Sequence, residues 1–66
     1  MDELDALRCA KLLLNRHGRD AELYAAMGAD ALEAAGDDVG RRAWMRILAA
    51  VDELARTERR RGETLQ

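Results

Sequence analysis

Apolar residues recur at helical spacing in three stretches of the chain, and a glycine closes each stretch. In the first, Leu4, Leu7, Ala10 and Leu14 step at intervals of three and four, and Ala6, Cys9 and Leu13 widen the stripe into a broad face. In the third, Trp44, Ile47, Leu48, Val51, Leu54 and Ala55 give the strongest periodic signal of the three. The middle stretch is different in kind: Ala21, Ala25, Ala26, Ala29, Ala31, Ala34 and Ala35 surround Leu23, Tyr24, Met27 and Leu32. Small side chains there permit close helix approach, and Gly28, which costs about 1 kcal/mol against Ala inside a helix, reads as a crossing point.

The punctuation places the boundaries. Asp2, Glu3 and Asp5 open the first segment, and Arg16 and His17 close it, in the order that suits a helix dipole. Gly18 fits the left-handed position past its end, and Asp20 is positioned to cap the next helix through its carboxylate. Gly36 repeats the stop, and Asp37 or Asp38 serves as the next cap, so the third helix begins near Asp38 or Val39. Arg59, Arg60 and Arg61 followed by Gly62 read as its end. The expected helices cover roughly residues 2–17, 21–35 and 38–61 of one domain spanning about 1–62, with 63–66 a disordered tail.

Connections this short make neighbouring helices antiparallel, and the economical fold is all-α, a small three-helix bundle. An alternative keeps the first and third helices long and completes their core against a second copy of the chain, so a homodimer is a standing expectation. Composition sharpens this picture. The chain has 66 residues, no Pro and no Phe, one Trp and one Tyr. Its apolar content is therefore mostly Ala and Leu, which favour helix but build a shallow core.

Eleven basic and thirteen acidic side chains leave a formal net charge of −2. The imbalance is local: residues 1–36 are acidic on balance, while the rest is slightly basic because of its arginines. A lone cysteine and a Met-Asp-Glu start imply a cytoplasmic protein without an internal disulfide. No apolar run approaches the roughly 20 residues that span a bilayer.

Candidate chemistry is sparse. Cys9 and His17 are two soft ligands where a structural zinc site takes four, so no metal is expected. They lie about 12 Å apart along one helix, too far for a nucleophile and its base. Asp37 and Asp38 do not continue a calcium-loop spacing, and the glycines around them lack the Lys-Ser or Lys-Thr of a phosphate loop. The expected reading is a non-enzymatic protein without cofactors.

Two surfaces remain. Trp44, with Met45 beside it and Tyr24 as the other aromatic residue, is a candidate core anchor or partner-binding cluster. Arg41, Arg42, Arg46, Arg59, Arg60 and Arg61 are candidates for binding nucleic acid, although Asp37, Asp38, Asp52, Glu53 and Glu58 nearly offset them. The leading expectation is a small protein-interaction module, an adaptor or regulator of a larger protein. A nucleic-acid-binding regulator and a structural homodimer are the alternatives.

The phrases His17-Gly18-Arg19-Asp20-Ala21, Gly36-Asp37 with Gly40, and Trp44 with Ile47 make up an HG-x-DA, GD-x-x-G, W-x-x-I pattern. In it the chain resembles a group of short bacterial helical proteins of unknown function. The resemblance implies a compact helical domain and brings no active residues with it.

Overall fold

The computed structural model describes residues 3–64, with the side chains of 61–64 left aside. It is all-α. Helix α1 covers Glu3–His17, a single 3-10 turn Gly18–Asp20 follows, α2 covers Ala21–Ala34, and α3 covers Asp38–Thr64.

Both breaks are made by glycines in the left-handed region, Gly18 at φ 54° and Gly36 at φ 74°. The second break is complete in its hydrogen bonding. The Gly36 N–H donates to the Glu33 carbonyl at 3.0 Å and the Asp37 N–H to Leu32 at 2.9 Å, the 6→1 and 5→2 pair that ends a helix at a glycine. Asp37 then starts α3, its Oδ1 accepting the Gly40 N–H at 2.8 Å. A Cβ on residue 40 would stand 2.6 Å from Asp37 Oδ2, so glycine there makes room for the capping carboxylate.

The expected cap at Asp20 is not made. The chain enters α2 through the 3-10 turn with Asp20 at φ −87°, ψ 0°, and its side chain forms no capping hydrogen bond. A capping side chain needs an extended backbone at its own residue to reach back to the second or third N–H, and the turn withholds that geometry. The expected stop at Gly62 is also overridden. α3 runs through Gly62 to Thr64, so residues 63 and 64 are helical and not a disordered tail. A helical glycine costs only about 1 kcal/mol, which an established helix absorbs when no left-handed turn or following cap competes. Asp2 and residues 65–66 lie outside the described residues.

α3 is the spine. At 27 residues it is about 40 Å long, and α1 and α2 both lie against it while touching each other far less. The molecule measures 46 × 22 × 15 Å, with a radius of gyration of 12.7 Å. A compact chain of this length would have about 11 Å. The buried core consists of Ala6, Ala10, Ala21, Ala25, Ala29, Ile47 and Val51. Cys9, Leu13, Leu14, Trp44, Ala50 and Leu54 pack at its margin. Five of the seven buried side chains are methyl groups, which brings the helix axes close and leaves little depth for large residues.

Candidate interaction surface

Large apolar residues that a deeper core would have taken in are left outside. On α2 the buried positions are Ala21, Ala25 and Ala29, one face at helical spacing. The opposite face carries Leu23 at 59% exposure, Met27 at 54% and Tyr24 at 44%, and the exposed Ala31 and Ala34 extend it. The stripe from Leu23 to Ala34 is about 16 Å long. α2 is thus apolar on both sides, a pattern expected of a helix covered on both. Leu4 and Leu12 on α1 and Val39 at the start of α3 are exposed as well.

One residue of the stripe is held in place. The Tyr24 ring stacks on the His17 ring with centroids 3.8 Å apart and planes 18° from parallel. His17 therefore does more than end α1: across the Gly18 turn it fixes the tyrosine at the head of the stripe. Nothing in the spacing of His17 and Tyr24 announces this contact, which depends on the reversal at Gly18.

Trp44 faces inward. A Cβ built on Gly28 would stand 3.1 Å from Cδ2 and Cε2 of the indole and 3.2 Å from Cε3. The ring thus lies flat over the α2 backbone where the helices cross. It is half-buried and packed against the core. Met45 is 43% exposed and turned about 100° away from Trp44 around α3. Tyr24, Trp44 and Met45 therefore do not form one surface: the tyrosine belongs to the α2 stripe, the tryptophan to the crossing, and the methionine to a separate part of α3.

The arginines also divide. Arg41 is partly buried near the start of α3, while Arg42, Arg46, Arg59 and Arg60 are exposed. Arg46 and Arg59 lie about 20 Å apart along the helix. Between them Glu53 is exposed, and Asp52 forms an ion pair with Arg56 that raises the Arg56 pKa above its ordinary value. The Arg61 side chain lies outside the described residues.

Among the described residues no buried side chain is polar or charged, and no group of three His, Cys, Asp or Glu is placed to hold a metal. Cys9 is a half-buried free thiol at the core margin. Among the described residues, two open grooves stand out. One, of about 540 Å3, runs between α1 and α3 and is lined by Glu3, Leu7, Arg46, Ala49 and Glu53. The other, of about 670 Å3, lies near the Gly18 turn, with Asn15, Arg19, Glu58 and Arg59 at its edge. Neither brings together a nucleophile, a base and a site for a developing charge. Among the described residues no helix is long and apolar enough to cross a membrane.

No protein-family model matches the chain, and neither a curated protein nor a solved structure is significantly similar to it.

Proposed function

We propose that the chain is a non-enzymatic helical interaction module, an adaptor or regulator of a larger protein, with the outer face of α2 as its contact surface. The observation that carries this reading is the exposed stripe Leu23, Tyr24 and Met27 on a helix whose other face is already committed to the core. Exposed apolar patches of this kind mark association sites, and a tyrosine pinned by a second ring is a suitable anchor because little freedom is lost on binding. On this reading the three helices are a bundle left short of one layer, which the partner supplies. The likeness to short bacterial helical proteins belongs to the same proposal and adds a fold but no chemistry.

The test is affinity purification of the tagged chain from its own cells, comparing the natural sequence with a Leu23→Asp/Met27→Asp double variant and a Met45→Asp control. A stoichiometric protein is expected with the natural chain and with Met45→Asp, and its loss from the double variant, with helicity unchanged by circular dichroism. Retention by the double variant would remove α2 from the interface.

A further inference from the structure

The charges that α2 and its two flanking turns carry between Asp20 and Gly40 are all of one sign. From Asp20 to Gly40 the chain carries Asp20, Glu22, Asp30, Glu33, Asp37 and Asp38 and not one Lys or Arg. The nearest cations along the chain, Arg19 and Arg41, lie outside α2 at either end. Asp37 is occupied as the cap of α3, and Glu22 is near enough to Arg56 to raise its pKa. Asp20, Asp30, Glu33 and Asp38 are exposed, and none forms an ion pair among the described residues. At 100° per residue Asp30 borders Leu23 and Ala34 along one edge of the stripe. Asp20 stands one turn before Leu23 and Tyr24, and Asp38 lies just past the far end.

Resting on the reading of α2 as the contact surface, we infer that this face receives a cationic amphipathic helix of a different protein, its apolar side on Leu23, Tyr24 and Met27 and its Lys or Arg flanks over Asp20, Asp30 and Glu33. An apolar stripe acidic along one edge and at its ends is the complement of a helix with apolar residues at i, i+3/i+4, i+7 and basic residues along the facing edge. The same border argues against an α2-to-α2 dimer. Pairing α2 with its own symmetry mate sets carboxylates against carboxylates, and like charges juxtaposed at an interface oppose association. The exposed face of α3 in a second copy is basic, but Val39, Met45 and Ala49 are the main apolar residues it offers, set singly among Arg42, Arg46, Glu53, Arg56 and Arg60. That is too little to cover the stripe.

The experiment uses the full chain and two synthetic helical peptides of three to four turns with the same leucine face, one flanked by lysines and one by glutamates. Fluorescence anisotropy is expected to show the lysine peptide binding at least about tenfold more tightly, with the preference shrinking as salt rises. Asp30→Lys/Glu33→Lys should erase or reverse the preference, Asp30→Asn/Glu33→Gln should reduce it, and Leu23→Asp/Met27→Asp should abolish binding of both peptides. Equal affinity for the two peptides, a preference untouched by the neutral variants, or a concentration-dependent dimer mass that Leu23→Asp removes would each overturn the inference. A natural partner lost on Leu23→Asp/Met27→Asp but indifferent to salt and to Asp30→Lys/Glu33→Lys would sink the cationic helix and leave the interaction module standing.

Discussion

Gly28 and Trp44 are one device made of two residues. The absent side chain of the first lets the indole of the second lie on the backbone, so each position explains the other. Gly28→Ala is therefore expected to lose stability in the natural chain, where the new methyl meets the ring, and to gain about 1 kcal/mol in a Trp44→Ala background, where only helix propensity remains. A double-mutant cycle by urea unfolding reads the change of sign directly. The close crossing at Gly28 was legible in the sequence, because a glycine inside an alanine-rich helix has few other uses. The partner's identity was not, since helical spacing alone does not say whether Trp44 faces α2 or solvent. The two aspartates ahead of helices make a similar pair. Asp37→Ala should cost about 1 kcal/mol by thermal melting, and Asp20→Ala should cost far less as a cap, because only Asp37 accepts a backbone N–H. In sequence the two look alike. The difference lies in the backbone entering each helix, which the 3-10 turn sets for Asp20.

The three helices and the glycine breaks at Gly18 and Gly36 were readable because they rest on local physics: apolar spacing, backbone freedom and charge at helix ends. The end of α3 was misread for the same local reason, since Gly62 carries the composition of a stop without the turn that makes one. The exposed apolar face of α2 was hidden by its composition, for alanine is equally at home in a core and on a surface. Once Ala21, Ala25 and Ala29 are seen to take the inner face, Leu23, Tyr24 and Met27 are left outside by geometry alone. Replacing Leu23 and Met27 by Asp should accordingly leave the melting temperature of the isolated chain nearly unchanged, where two core leucines so treated would unfold it. A large drop in melting temperature would mean that the stripe is covered within the chain.

The whole molecule exposes 5197 Å2, against about 4200 Å2 for a compact monomer of its mass. Its interior is correspondingly thin, with Val51 the largest side chain that is fully enclosed. Ile47→Ala removes one of the two largest buried side chains and should cost about 2–5 kcal/mol, comparable to the entire stability of a domain this size. The variant is expected to be largely unfolded by circular dichroism at room temperature. A bound partner should oppose this in proportion to its affinity: at a hundred times the dissociation constant it adds about 2.7 kcal/mol, visible as a higher melting temperature that depends on partner concentration.

Asp37 takes part in both of the helices it separates, its amide closing α2 and its carboxylate opening α3. A linker with no residue to spare behaves as a fixed gauge. One amino acid inserted between Gly36 and Asp37 would part the left-handed glycine from the aspartate, ending α2 without its second carbonyl partner or starting α3 without its cap, and would shift Trp44 off Gly28 by the same step. The lineage of this chain is therefore free to vary the exposed α2 stripe while holding the length of the α2–α3 hairpin constant, and change in that surface should come by substitution and not by insertion.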